Sequence, residues 1–510
     1  MAATIRVLLA AGLLFAANGA LADVVTFPSV GCAGTLQQCI DTVDAGDTIE
    51  IATDTLINED LTIQKSLTLK SASGFTGRIG NPEAANRTVN ILDSSISGPI
   101  DVTLDGLVLD NALIDASLTQ FAAGGHHVEV LRTHVSLDID ENNTPAVAID
   151  FRVPATAVVQ RNVIDSTGQA IQLRSGLVGG TATFTVDGNV LTTPNPVESA
   201  AGVEMRFAGG GTVVADVVNN VVSGVAGCNC GGFGGMTLQT SDGVVATVNI
   251  LHNTLDDIDL FAPAIEVSPP GETSQLTVNI FNNIVTRAEG LGIFLPSATP
   301  QLTVNNDSND FFFNDLPNEF GGYAPGPNTS SVDPLFVGFG DFPLQAGSVL
   351  VDAGTSAPPG GLPQLDADGS PRVAGAGPDL GAYEFAGPFP STTSTTSTTL
   401  PSDACVSAAT FPSVGCRLGA LRRQAEDEVG DGRLSGKLGA VLTSAKAAVR
   451  LAEELAAEGG TKPVRRALGK ALRALAKLGR LLGTVPSPLR ESLSLAANGI
   501  ATDVRSLRGS

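Results

Sequence analysis

Tryptophan is absent from this 510-residue chain, which has two tyrosines and only 5% aromatic residues in total. The flat, amphipathic indole on which proteins commonly stack sugar rings is therefore excluded. Basic residues are also scarce: 29 Lys and Arg stand against 52 Asp and Glu, and the formal net charge is −23. Because nucleic-acid phosphates require a basic track, this balance argues against nucleic acid as a partner.

Histidine and cysteine are few, with four and six residues respectively. The cysteines fall into three close pairs: Cys32 with Cys39, Cys228 with Cys230, and Cys405 with Cys416. The first and third pairs predict local disulfides. The second pair would close a very tight loop, so paired thiols and a strained bridge both remain open. No His accompanies a pair at zinc-site spacing, and the sequence predicts no metal site.

Long apolar runs are absent beyond the first 22 residues. Residues 1–22 combine Arg6, an apolar stretch at 7–17 and the small-residue sequence ALA before Asp23, which is typical of a secretory signal peptide. The apolar stretch is too short for a stable membrane span. The sequence therefore predicts a mature chain that starts near Asp23, has no transmembrane segment and is secreted or held at the cell surface.

A short phrase recurs through residues 104–311: an apolar residue, two variable positions, an Asn and usually another apolar residue. Its copies are VQRNV (159–163), VDGNV (186–190), VVNNV (217–221), ILHNT (250–254) and IFNNI (280–284). LDGLV (104–108) and LRTHV (131–135) keep the apolar frame without Asn, and a degenerate copy surrounds Asn309. The anchor positions 107, 134, 162, 189, 220, 253, 283 and 309 are 27, 28, 27, 31, 33, 30 and 26 residues apart. Such a period is the mark of a solenoid.

The repeated Asn has a physical reason in this interpretation. Asn tolerates the left-handed backbone that a sharp corner needs, and its amide can bond to an Asn stacked above it. The sequence thus predicts a structural ladder made by Asn162, Asn189, Asn220, Asn253 and Asn283.

A second row interleaves with the first and reads AIDFR (148–152), AIQLR (170–174), GVEMR (202–206), GMTLQ (235–239), AIEVS (264–268) and GIFLP (292–296). A small residue followed by alternating apolar and polar positions indicates a half-buried strand. Helical repeats of similar length are disfavoured, because Val, Ile and Thr dominate and Gly and Pro recur. We therefore expect an all-β right-handed parallel β-helix over residues 23–388, with neighbouring coils roughly 4.8 Å apart.

Three segments resemble parts of secreted bacterial β-helix proteins of the pectin-lyase-like type. Residues 33–43 resemble their N-terminal cap helix, and LTIQKSLTL (61–69) resembles their first coil. Residues 333–385, which include FPLQAGSVLVDAG (342–354), DADGSPR (366–372) and GPDLGAYE (377–384), resemble the choice-of-anchor Q region found at the end of such proteins. The resemblance implies an exported bacterial protein. Within it, Asp366, Asp368 and Gly369 look partly like a calcium loop, although a turn containing Gly is favoured.

The C-terminal part differs in composition and charge. Residues 389–402 form a Ser/Thr/Pro linker with nothing to bury. Residues 403–510 hold 17 of the basic and 10 of the acidic residues, which leaves 12 and 42 for the remainder. Helix-period segments at 417–429, 434–458, 464–482 and 489–507 predict a small four-helix bundle. This basic domain is also expected to bind anionic components of the cell envelope, although the apolar face of a bundle helix looks the same as that of a surface-binding one.

The polar positions of the second row are the candidate binding face. With Ile149 and Phe151 inside, Asp150 and Arg152 point outward, and we expect Gln172/Arg174 and then Glu204/Arg206 to lie above them. Three stacked arginines beside two carboxylates, roughly 9.6 Å apart, would suit a sugar chain. The same rows also serve simply to solubilise a solenoid.

Two functional classes follow from these expectations. A binding or structural role towards a polysaccharide or cell-surface glycan is favoured. The alternative is a lyase or hydrolase of acidic polysaccharide, the activity found on this face in the β-helix enzymes that the chain resembles. In that case Asp150, Arg174 and Glu204 are the catalytic candidates, and Ca²⁺ is left open as a cofactor. A third reading makes the solenoid a stalk that presents the helical domain.

Overall fold

The computed structural model of the protein describes residues 22–387, except 82–85, 94–97, 120–123, 139–143, 194–199, 226–233, 259–261, 289, 313, 315–323, 339 and 386. It further describes isolated positions between 414 and 452, and residues 461–482 and 489–509.

Several predictions fall outside these described residues. They are the signal peptide (apart from its last residue), the Ser/Thr/Pro linker, and the state of Cys228 and Cys230. The predicted disulfide between Cys405 and Cys416 also falls there, because neither Cys405 nor Cys416 is among the described residues. The pairing of Cys405 with Cys416 therefore stays a prediction, and the disulfide that the described part of the chain shows is the N-terminal one.

Three parallel sheets form the walls of a solenoid, because each strand pairs with its equivalent in the next coil. Sheet 1 has eleven strands. They are β1 (Val24–Phe27), β2 (Thr48–Ile51), β4 (Leu67–Ser71), β7 (Asp101–Asp105), β10 (His126–Leu131), β13 (Ala155–Gln160), β16 (Thr181–Asp187), β19 (Thr212–Val218), β22 (Val245–Leu251), β25 (Gln275–Phe281) and β28 (Leu302–Asp307).

Sheets 2 and 3 have nine strands each. Sheet 2 contains β5 (Arg78–Gly80), β8 (Val108–Asp110), β11 (His134–Leu137), β14 (Val163–Ser166), β17 (Val190–Thr192), β20 (Val221–Ser223), β23 (Thr254–Asp256), β26 (Ile284–Thr286) and β29 (Asp310–Phe312). Sheet 3 contains β3 (Leu61–Ile63), β6 (Arg87–Leu92), β9 (Ala112–Leu118), β12 (Val147–Phe151), β15 (Ile171–Leu177), β18 (Val203–Gly209), β21 (Met236–Thr240), β24 (Ile265–Val267) and β27 (Ile293–Phe294). The prediction of a parallel β-solenoid is confirmed.

The asparagine ladder runs along the corner between sheets 1 and 2. From Asn162 to Asn283, each side-chain amide donates to the Asn Oδ1 of the next coil at 2.9–3.0 Å, and the ladder ends on Asn309. Each amide also donates to a backbone carbonyl of the preceding coil at 2.8 Å. A buried amide row therefore satisfies the backbone where the chain turns.

The ladder corrects two details of the sequence interpretation. The left-handed residue is the one before the ladder position, as at Arg161 (φ 54°) and His252 (φ 55°), rather than the Asn itself. His134 pairs with Val163, so Thr133 occupies the ladder position in its coil and donates its backbone N–H to Asn162 Oδ1 at 2.8 Å. The copy LRTHV was thus aligned one residue out of register.

A short helix, α1 (Leu36–Thr42), lies at the N-terminal end of the solenoid. Thr35 caps it, with Gln38 completing a capping box, and Leu36, Cys39 and Ile40 are buried. Glu59 of the solenoid accepts the first two helical N–H groups at 3.0 Å. The expected Cys32–Cys39 disulfide is present, with 4.9 Å between the two Cα atoms.

Residues 341–385, which we call the flank segment, are largely irregular and lie against the side of the solenoid. Its first strand, β31 (Asp341–Leu344), forms an antiparallel pair with β30 (Phe336–Gly338), which lies just before the segment. Apolar side chains that point outward from sheet 2 are covered here: Val221 packs with Phe342 and Ala382, and Ile284 packs with Leu344, Leu350 and Leu380. The turn at Asp366–Gly369 closes on itself, since Ser370 N–H donates to Asp366 Oδ1 at 2.8 Å.

The C-terminal module is helical, as predicted. Helices α2 (Thr461–Leu482) and α3 (Leu489–Gly509) pack together, and the described positions between 414 and 452 are helical as well. Leucines and alanines from all of these parts share one buried core, separate from that of the solenoid. Among the described residues, no helix is long and apolar enough to cross a membrane.

Candidate functional site

The outward face of sheet 3 carries two adjacent polar columns. Column 1 contains Asp115, Ala148, Gln172, Glu204, Thr237 and Glu266, one from each successive coil. Column 2 contains Ser117, Asp150, Arg174, Arg206 and Gln239. The alternation of small, apolar and polar residues in these strands places both columns on the outside, because Val147, Ile149 and Phe151 fill the interior.

The register between β12 and β15 differs from the expected one by two residues. Asp150 faces Arg174, and Ala148 faces Gln172, whereas the sequence alignment set Asp150 opposite Gln172. A shift of two residues preserves which side chains point inward, so the hydrophobic pattern alone does not distinguish the two registers. The small residue that begins this copy is therefore Ala146 rather than Ala148. The backbone N–H and carbonyl of Ala146 make the same inter-coil hydrogen bonds as those of Ala170 in the next coil.

Arg152 consequently does not stack with Arg174 and Arg206. Arg152 lies at the next outward position after Asp150, and its guanidinium lies over Gly176. A Cβ atom on Gly176 would stand 2.3 Å from Arg152 Nη1. Arg152 also pairs with Asp150 of its own strand at 3.1 Å, and its side chain is half exposed. The expected ladder of three arginines is thus reduced to Arg174 and Arg206.

Glu204 is buried rather than presented to solvent, with 1% of its surface exposed. Gln172 Nε2 donates to Glu204 Oε2 at 2.5 Å and to Gln169 Oε1 at 2.8 Å. Arg206 Nη2 lies 2.5 Å from the other Glu204 oxygen. These contacts occupy both oxygens of the carboxylate, so its geometry favours holding Gln172 and Arg206 in place over reaching a ligand directly.

Arg174 is the cation best placed to meet a ligand. It lines a cavity of about 240 Å³ together with Leu113, Asp115, Ser117, Thr144, Pro145, Ala148, Ile149, Asp150 and Gln172. Within the described part of the chain, no carboxylate oxygen lies within 4.0 Å of its guanidinium, and its buried Nε has no acceptor. Arg152 and Arg206, in contrast, are each paired with a carboxylate.

Asp115 brings a second carboxylate to this cavity. Burial raises the pKa of Asp115, the neighbouring charge of Asp150 raises it further, and Arg174 opposes both effects. A carboxyl group with a raised pKa is suited to donating a proton near neutral pH. The cavity therefore offers a guanidinium fork, two carboxyl groups and the Gln172 amide.

Asp115 was missed from the sequence, although its strand carries the required signal. ALIDASL (112–118) alternates apolar and polar residues over seven positions. The second row of the sequence analysis begins with AIDFR (148–152), one coil after this strand. The coil of Asp115 also lacks the Asn that marks the corner in later coils. Asp150, Gln172 and Arg174 are brought together as neighbours of one cavity, while Arg152 and Glu204 are not among its lining residues.

The described residues contain no group of three or more His, Cys, Asp or Glu side chains arranged to hold a metal ion. His252 is buried in the corner against the Asp379 carbonyl, and His134 is half exposed beside Asp165. The pKa of His252 is lowered by burial, and that of His134 is raised mainly by its bond to Asp165. Neither His lines the cavity.

No protein-family model and no curated protein matches this chain.

Proposed function

We propose that this is an exported, extracellular or cell-surface solenoid that binds a glycan chain along the outward face of sheet 3. The single observation that carries the proposal is the cavity in which Arg174, without a carboxylate partner among the described residues, meets Asp115, Asp150 and Gln172. Sugar hydroxyl groups both donate and accept hydrogen bonds, and carboxylates, amides and guanidinium groups are their natural partners.

The repeat of the solenoid supports a polymer as the ligand. Column 2 continues past the cavity through the partly exposed Arg206 and Gln239, with rungs roughly 4.8 Å apart. A chain of repeating units can meet equivalent positions of successive coils, which is how solenoids commonly use an extended face.

Export is supported by the signal-like residues 1–22 and by the Cys32–Cys39 disulfide, because disulfides persist mainly in oxidising compartments. The resemblance to pectin-lyase-like proteins with a choice-of-anchor Q region is compatible with the parallel solenoid. In the segment that carries that resemblance, Asp366, Arg372, Asp379 and Glu384 are all buried, which favours a structural use of the shared residues.

A second candidate is a lyase or hydrolase of acidic polysaccharide. It is favoured by the raised pKa of Asp115 beside Asp150 and Arg174, since such reactions need an acid, a base and a cation near one sugar. Calcium would fit this candidate if a uronate ligand completed the coordination, because two carboxylates supply fewer oxygens than the roughly six to eight that Ca²⁺ takes.

The test uses the mature full-length protein from Asp23, with and without calcium. Binding is measured on a glycan array, and turnover on plant, algal and bacterial polysaccharides is followed through unsaturated uronate and new reducing ends. Binding without turnover supports the glycan-binding role, whereas turnover that is lost in Arg174→Ala supports the enzyme. Absence of both overturns the site on sheet 3 and leaves the solenoid as a stalk.

A further inference from the structure

Helix α2 carries seven basic residues and no acidic residue over its 22 positions. At 100° per residue, six of the seven fall within an arc of about 80° on one side of the helix. These six positions, which we call the basic row, are Lys462, Arg466, Lys470, Arg473, Lys477 and Arg480. Arg480 lies 18 positions after Lys462, so the row is about 27 Å long along the helix axis.

The opposite side of α2 is apolar and packs into the core of the helical module. Leu468, Leu472, Leu475, Leu478 and Leu482 are buried in the core that α2 shares with α3 and the described positions between 414 and 452. Lys470 is exposed, and Arg473 and Lys477 are half exposed. The apolar face is therefore committed to the helical module, and Lys470, Arg473 and Lys477 of the basic row lie on the other side of α2.

Within α2, Arg465 is the one basic residue outside this narrow row. Helix α3 has three Arg but also Glu491 and Asp503. Asp503 pairs with Arg417, which precedes both helices in the chain. A bilayer presents a plane and is met best by a broad basic surface, or by an apolar face that can insert. A narrow row about 27 Å long fits a line of charge better.

We infer that the basic row of α2 is a docking site for a linear polyanion, such as a phosphate-bearing polymer of the cell envelope. Binding is electrostatic: each cation that approaches the chain releases condensed counterions, so affinity falls steeply with salt. The solenoid carries most of the acidic residues, since only 10 of the 52 lie in residues 403–510. This difference in charge favours the helical module over the solenoid as the place where a phosphate-bearing polymer docks. This site is separate from the glycan site on sheet 3.

The experiment measures binding of the full-length mature protein to long-chain inorganic polyphosphate over a range of salt concentrations. The test variant is Lys470→Glu with Lys477→Glu. The matched control is Lys446→Glu with Arg490→Glu, which makes the same charge change at two exposed residues of the same module outside the row. Circular dichroism verifies that both variants keep their helical content.

We expect the test variant to lose at least about tenfold in affinity and to show a shallower salt dependence, while the control stays within about twofold. Tripolyphosphate, at equal total phosphate, should compete poorly because it spans only part of the row. Equal losses in both variants, equal competition by tripolyphosphate, or no binding would overturn the inference. Preferential binding to vesicles of phosphatidylglycerol and phosphatidylcholine would overturn it in favour of a membrane surface.

Discussion

Arg372 of the flank segment donates a 2.7 Å hydrogen bond to Asn219, a corner residue of the solenoid that precedes it by 153 positions. The same guanidinium donates to the carbonyls of Gly381 and Ala382 and lies 3.6 Å from Glu384. Only 1% of Arg372 is exposed. One buried cation thus joins the flank segment both to itself and to the solenoid corner.

Arg372→Ala should release the flank segment. Removing one partner of a buried charge pair typically costs about 3–5 kcal/mol, because the other charge remains buried and unpaired. We expect a lower melting temperature and faster chymotrypsin cleavage within residues 341–385; chymotrypsin is chosen because it does not cleave at Arg. Arg78→Ala is the control, since its exposed pair with Asp110 should contribute only about 0–1 kcal/mol. Equal effects of the two substitutions would contradict a locking role for Arg372.

Asn220→Ala should destabilise the solenoid more than Asn162→Ala. The Asn220 side chain donates to Asn253, Val186 and Val218 and accepts two bonds from Asn189. Within the described part of the chain, the Asn162 side chain at the end of the ladder has three bonds, one each with Thr133, Val130 and Asn189. At about 1 kcal/mol per buried bond, we expect losses of about 5 and about 3 kcal/mol, measured by urea unfolding. Equal losses would show that the two additional bonds of Asn220, from the Asn189 amide and to the Val218 carbonyl, add nothing to stability.

Glu384 should make stability depend on pH. Burial raises the pKa of Glu384 from 4.5 to about 7. Between these values the folded protein binds more protons at this group than the unfolded chain, so its contribution to stability falls as pH rises from 4.5 to about 7. Glu384→Gln should therefore lose less stability than the natural protein between pH 5 and pH 8, as measured by denaturant midpoints. An unchanged pH dependence would show that Glu384 does not titrate in this range.

The position of the corner could be predicted from the sequence because one residue type marks it in successive coils. Asn recurs at one position from Asn162 to Asn309, and its amide bonds to the Asn of the coils above and below. The strands of sheet 3 were predictable in kind but not in register. Ala146 and Ala148 are both small, and both begin an alternating stretch, so only the backbone pairing shows that Ala146 matches Ala170.

The position of the flank segment could not be derived in the same way. Irregular chain has no period, and its contacts with Asn219, His252 and Asn282 join residues about 70 to 150 positions apart. The strands of sheet 2 did carry part of the information. Val221 and Ile284 are apolar at outward positions of sheet 2, which indicates that something covers them, but not what.

The central claim, that a glycan chain binds at the cavity beneath Arg174, is tested most directly by one comparison of affinities. Isothermal titration of the strongest array ligand is carried out on the natural protein, on Arg174→Ala and on Arg132→Ala. Arg132 is an equally basic control in the corner that follows β10, where it pairs with Asp105 at the surface. A buried charged hydrogen bond to a ligand is worth about 2–5 kcal/mol, so Arg174→Ala should weaken binding by at least about thirtyfold and Arg132→Ala by less than about twofold. Equal affinities for all three proteins would contradict the claim.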